Sequence, residues 1–327
     1  MPNAQHNLRI QKWVAGISVL LLVVKLIAYY MTHSVAILTD ALESIVNVSA
    51  GFIGLYSLYV SAKPRDFDHP YGHGKAEFLS AAVEGTLILT AGALIIYKAV
   101  SNLINPQEVE KLDSGMVLIL VTALINFGIG FYCFKQGRKS RSLALEASGK
   151  HLMSDSYSTF GLIIGLLLLY FTQMAWIDSA VAALFGIILL FTGYRILRDS
   201  IAGIMDEADH QLLRKLVVLL NQKKRASWID LHNLRIIKYG SVLHLDCHLT
   251  LPWYLNVHEA HQEVEALSHL VQEAFGDSIE LFVHTDGCLP FSCRICKKQE
   301  CSQRKHNFER QIDWTMDNIL ANKKHQL

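Results

Sequence analysis

Six stretches of the chain are apolar almost without interruption, each close to the roughly 20 residues that a helix needs to cross a bilayer. They fall at 13–30, 35–59, 78–103, 116–134, 150–171 and 177–197. From about residue 206 the rhythm changes. "QLLRKLVVLLNQ" repeats its apolar residues at helical spacing. "LHNLRIIKY" and "VLHLDCHLTL" read as strands. The second alternates strictly, with Leu243, Leu245, Cys247, Leu249 and Leu251 on one side and His244, Asp246, His248 and Thr250 on the other. "NVHEAHQEVEALSHLVQEAF" is an amphipathic helix and "IELFVHTD" a third strand. The order αββαβ predicts a small α+β domain of ferredoxin-like or metallochaperone-like type, with helices on one face of a three-stranded sheet. The predicted division is a six-helix membrane domain over 1–205, the αββαβ domain over 206–287 and an extension over 288–327.

Charge adds the topology. The net charge of +1 gives no bulk attraction to nucleic acid. One set of span flanks carries Arg9, Lys12, Lys63, Arg65, Lys75, Lys135, Arg138, Lys139, Arg141, Arg195 and Arg198. The opposite set carries Glu108, Glu110, Asp113 and Asp178, with Lys111 as its one clear basic loop residue. Basic flanks stay in the cytoplasm, so a multi-pass protein of the cell or bacterial inner membrane with both termini cytoplasmic is expected. The first apolar run is long and lacks a small-residue cleavage site, unlike a signal peptide. Lys25, inside the first span, is expected to snorkel to the surface.

Ionisable residues within spans are expensive and are functional candidates by default. In the second span Asp40, Glu43 and Asn47 fall at i, i+3 and i+7 and share a face; in the fifth, His151 and Asp155 stand at i, i+4. Together the two helices offer one nitrogen and several oxygens, enough for a divalent cation or for hydrogen-bonded helix glue. The loop "KPRDFDHPYGHGKAEF" gathers Asp66, Asp68, His69 and His73, either a metal site or a polar turn with incidental histidines. Farther on, His232, His244, His248, His258, His261, His284 and Asp286 are spread over three strands and a helix, with His261 and His269 read as bystanders. Cys288, Cys293, Cys296 and Cys301 include a CxxC knuckle. Their spacing suits a tetrahedral thiolate site for zinc; an iron–sulfur cluster and free thiols on a mobile tail are the alternatives. Cys133 and Cys247 are read as packing residues.

"HLMSD" in the fifth span and "DFDHPYGHGKAE" after the second, beside six spans and an αββαβ tail, make the chain resemble the cation diffusion facilitators, proton-coupled exporters of zinc and related divalent metals. The resemblance implies a transport site of Glu43, Asn47, His151 and Asp155. Asn47 departs from the family's usual acid there, which raises Asp40 as a further contributor. It also implies a loop site of Asp66, His69 and His73, and a cytosolic site of His232, His248, His258, His284 and Asp286 near a dimer interface. It pairs Lys75 with Asp206 in a charge lock between subunits. The implied activity is proton-coupled efflux of divalent cations by alternating access in a lipid-embedded homodimer. Zn²⁺ is then both cargo and structural or regulatory ion, with Fe²⁺, Co²⁺, Mn²⁺ and Cd²⁺ as other cargoes. A passive channel and a metal sensor or scaffold are the other readings. A membrane metallohydrolase is the enzyme alternative, and it lacks a base beside an open coordination position.

Overall fold

The computed structural model describes residues 2–105, 109–140, 143–239, 242–276 and 279–327; Glu108 and Arg141 lie outside them. The chain forms two compact units, Met1–Ser57 with Leu79–Ser200, and Leu58–Phe78 with Ile201–Leu327.

The first unit is built from α1 (Pro2–Thr32), α2 (Val35–Ser61), α3 (Ala76–Ile104), α4 (Leu112–Ser140), α5 (Leu143–Thr172) and α6 (Trp176–Ile204). Each contains a stretch long and apolar enough to span a membrane. Many large apolar side chains, such as Leu20, Leu94, Ile164 and Phe191, face outward, as they do when lipid is the solvent. Where two helices touch, glycine lets their backbones meet. A Cβ at Gly149 would lie 2.4 Å from Phe134 N, so α5 rests directly on α4 just before His151.

Asp178 is fully buried rather than a free flank residue. From α6 it accepts hydrogen bonds from Ser34 Oγ at 2.5 Å and from Val35 N at 2.6 Å, so it caps the start of α2 with a negative charge. The sequence pattern missed this because the cap and its helix lie far apart in the chain.

The second unit holds α7 (His210–Gln222), β1 (Asp230–Tyr239), β2 (Val242–Leu251), α8 (Val257–Phe275) and β3 (Ile279–Gly287). The sheet order is β1-β2-β3, with β1 antiparallel and β3 parallel to β2. Asp209 caps α7, and Asn256 with Glu259 forms a capping box on α8. Leu213, Leu216, Val217 and Leu220 of α7 and Leu267 and Val271 of α8 pack on the alternating face of β2. Cys247 belongs to that core, and burial pushes its thiol up to about 12. It is a packing residue.

The extension adds little regular structure: a 3₁₀ turn, Pro290–Arg294, and α9, Met316–Ile319. It is nevertheless packed. Trp314 and Ile319 sit in the core of the second unit. Asn221 exchanges two hydrogen bonds with the Trp314 backbone. Lys224 stands 3.7 Å from the Trp314 ring centroid, and burial pulls its pKa down to about 8. The Asn233 amide, in a bulge of β1 where its φ is +52°, donates to the Ala321 carbonyl.

Trp314→Ala removes the main anchor. Aromatic truncations in cores cost about 3–5 kcal/mol, so limited proteolysis should release the segment after Arg294 well before the rest of the chain is cut. Equal protease resistance of the two proteins would show that Trp314 does not hold the extension.

Candidate metal centres

In the membrane unit, α2 and α5 bring the predicted residues together. Asn47 donates from Nδ2 to Asp155 Oδ2 at 3.0 Å, and His151 Nε2 lies 3.7 Å from the same oxygen. Glu43 is within electrostatic reach of Asp155 and Asp40. Asp155 is mostly buried, whereas more than half of the His151 side chain is exposed.

Asp40 borders this group but is bonded to other partners. Its carboxylate receives Lys25 Nζ at 2.9 Å and Thr159 Oγ1 at 2.7 Å, and Lys25 also donates to Ser44 Oγ. Lys25 therefore does not snorkel: it is 2% exposed and points into the bundle. A stem long enough to reach water is also long enough to reach a carboxylate on the next helix, and in an apolar bundle the charge pair wins. Asp40 Oδ2 has no hydrogen-bond partner among the described residues.

The loop between α2 and α3, in the second unit, closes on itself. Asp66 Oδ1 accepts the backbone N–H of His69 at 2.7 Å, its ring Nδ1 lies 3.0 Å away, and His73 Nε2 stands 3.4 Å from Asp66 Oδ2. Desolvation raises the Asp66 pKa, but the hydrogen bonds and charge of His69 outweigh it and hold the carboxyl below its usual range. Asp68 is exposed. The same loop lays Tyr71 against Tyr239 and His244, and Arg65 pairs with Glu280. His244 is buried by this cover, although the alternation of β2 places it on the polar side. Lys75 meets Asp206 Oδ2 at 2.9 Å within one chain.

On the sheet, strand register builds the next cluster. His232 of β1 pairs with His248 of β2, which pairs with His284 of β3. Asp286 lies two residues beyond His284 on the same side. Its Oδ2 is 3.5 Å from His232 Nε2 and 3.6 Å from His248 Nδ1, and His284 Nε2 stands 3.8 Å from Oδ1. Burial, followed by the neighbouring His232 and His284, holds His248 below its usual pKa, in the neutral form that ligates metal. His258 is not drawn in; it is exposed on α8 beside Gln262. The extension contributes two unforeseen groups: Lys324 Nζ lies 3.3 Å from Asp286 Oδ1, and His325 bonds to Asp230, which in turn approaches His232.

Among the described residues, two groups have ligand atoms within 4.8 Å of one another: Asp66, His69 and His73, and His232, His248 and Asp286. The span residues and the four late cysteines are not closed to that separation.

The cation efflux transmembrane domain family matches residues 13–205, and the cytoplasmic domain of cation efflux proteins matches 223–288. The chain belongs to the cation diffusion facilitators. An uncharacterized transporter of Synechocystis is 30% identical, over 76% of this chain and 80% of its own length. The cation-efflux pump FieF of Shewanella oneidensis is 26% identical, over 81% and 89%. The manganese efflux system protein MneS of Bacillus subtilis is 26% identical, over 76% and 85%. Membership makes this facilitator a multi-pass membrane transporter of divalent cations. The second matched region ends at Cys288, so nearly all of the extension lies beyond it.

Lys25 and Asp40 supply a test of the bundle's electrostatics. Lys25→Met strands a buried carboxylate, which costs about 3–5 kcal/mol, so the unfolding midpoint in detergent should drop. Adding Asp40→Asn should recover most of the loss. A Lys25→Met protein as stable as the wild type would show that the pair does not hold α1 to α2.

Proposed function

We propose that this facilitator exports Zn²⁺, or a neighbouring first-row ion, from the cytoplasm in exchange for protons. The observation that carries the reading is the meeting of Asn47, His151 and Asp155 at one carboxylate oxygen, with Glu43 close by. Imidazole nitrogen favours zinc over harder ions. A second reading, Mn²⁺, is favoured by the oxygen-rich remainder of the set, Glu43, Asn47 and Asp155, and by the likeness to the manganese efflux system protein of Bacillus subtilis.

The residues suggest how exchange works. Facing the cytoplasm, neutral His151 and the two carboxylates take the ion in place of their mutual contacts. Facing outward, a proton on His151 occupies the lone pair that the ion used and favours release. Rocking of the spans exposes the site to each side in turn.

The remaining assignments belong to the same proposal. The distribution of Lys and Arg supports cytoplasmic termini. The divisions at 1–205, 206–287 and 288–327 separate transport, metal-linked dimerisation and extension. Asp66, His69 and His73, and His232, His248, His284 and Asp286, hold regulatory metal in a homodimer. His258 would join them only if a partner's surface brings ligands together. Asp40 is tied to Lys25 and stays out of the transport site.

Two measurements test this. Asp155→Ala should abolish metal flux into proteoliposomes while the protein still inserts, since losing even an outer partner of a metal ligand costs about 10–100-fold. Normal flux would remove Asp155 from the site. With the wild type, an outward-directed proton gradient should drive accumulation of Zn²⁺ above its external concentration, with Mn²⁺ as the comparison ion. Flux that only runs downhill and ignores the gradient would instead indicate a channel.

A further inference from the structure

The extension poses a physical problem. Between Arg294 and Met316 it forms no helix or strand, yet it runs along a fixed path. Long segments without regular structure need something to offset the entropy of ordering them, and small poorly cored units are commonly held by disulfides or metal. The cysteines of the extension are free thiols.

All four line one cavity of about 90 Å³. Cys288 follows β3 and donates its amide to Leu251 O, so it is fixed to the sheet. Cys293 and Cys296 flank the end of the 3₁₀ turn, and Cys301 approaches from the following loop.

Their surroundings are arranged around sulfur. Lys305 N donates to Cys293 Sγ at 3.3 Å. Burial pushes the Cys288 and Cys296 thiols up, and backbone N–H groups of Trp253 and Lys298 act against that rise. Trp253 and Tyr254 line the same cavity. Arg304 ties the knuckle together through the carbonyls of Cys293, Cys296 and Lys298 at 2.9, 3.0 and 2.7 Å. Lys298, Arg304 and Lys305 all border the cavity, a local excess of positive charge beside four potential thiolates.

We propose that Cys288, Cys293, Cys296 and Cys301 bind one zinc ion as a tetrahedral thiolate centre that staples the extension to the sheet. Each thiol gives its proton to solvent as its sulfur takes the metal. Four thiolates and Zn²⁺ leave two negative charges, which the three basic side chains offset. Zn–S bonds of about 2.3 Å draw the sulfurs closer than they stand here, contracting the cavity around the ion. Thiolate is the soft donor that zinc prefers, so this ion is held more firmly than any on the histidine–carboxylate clusters. The centre is separate from the transport path. Its effect is to fix the chain that carries Lys324 to Asp286 and His325 to Asp230.

The test uses full-length protein in detergent, dialysed against a chelator of moderate strength. Elemental analysis should find about one zinc per chain, the yield of a single closed four-thiolate site, and a variant with all four cysteines replaced by Ser should lose it. Equal zinc in the two proteins overturns the proposal. Should the variant fail to fold, the wild type decides alone. Exchanged with Co²⁺, it should show strong near-ultraviolet thiolate-to-cobalt charge transfer and intense tetrahedral visible bands. A spectrum with neither, or bound iron with inorganic sulfide in place of zinc, overturns it.

Discussion

A carboxylate inside an apolar helix bundle must be held by other groups, because its charge is not solvated there. Two buried acids of the membrane unit, Asp178 and Asp40, and the half-buried Asp155 meet this constraint in different ways. Asp178 is enclosed by hydroxyl and backbone donors at the start of α2 and defines where that helix begins. Asp40 is matched by the ammonium of Lys25 and joins α1 to α2. Asp155 has a neutral amide at 3.0 Å and an imidazole at 3.7 Å, the weakest partnership of the three. A divalent ion can replace those partners with little loss, whereas replacing the partners of Asp178 or Asp40 would dismantle a helix start or a helix contact. This ordering of partner strengths is what singles out Asp155 for the proposed transport site.

The second unit uses strand register to similar effect. Antiparallel and parallel pairing place His232, His248 and His284 side by side across three strands, with Asp286 facing them. The extension then supplies a cation, Lys324, to that acid. In the proposed function, an ion arriving at this cluster competes with that ammonium for Asp286.

Much of this was legible in the sequence. The six spans, the αββαβ order and the apolar face of β2 follow from periodicity, because apolar side chains must alternate or recur at fixed intervals to reach a core or lipid. Contacts within a few residues of one another, such as Asp66 with His69 or His151 with Asp155, also follow from spacing. What spacing could not reveal are pairings between distant elements. Lys25 with Asp40, Asp178 with the start of α2, and Lys324 with Asp286 each join groups whose proximity exists only after folding. Lys25 shows the limit best. A lysine in a span is polar enough to attract notice, but its direction depends on whether water or a carboxylate is nearer, and only the packed bundle decides that. The burial of His244 was hidden for a related reason: it lies on the polar face of β2 as its alternation indicates, and the loop carrying Tyr71 covers it there.

The central claim is that the transported ion sits between α2 and α5. Crystals of the full-length protein grown with Zn²⁺ and measured on both sides of the zinc absorption edge would locate every ordered ion. The account predicts anomalous density bounded by Glu43, Asn47, His151 and Asp155, with Asp40 still bonded to Lys25. Zinc density at the histidine–carboxylate clusters of the second unit, with none between those four side chains, would contradict it.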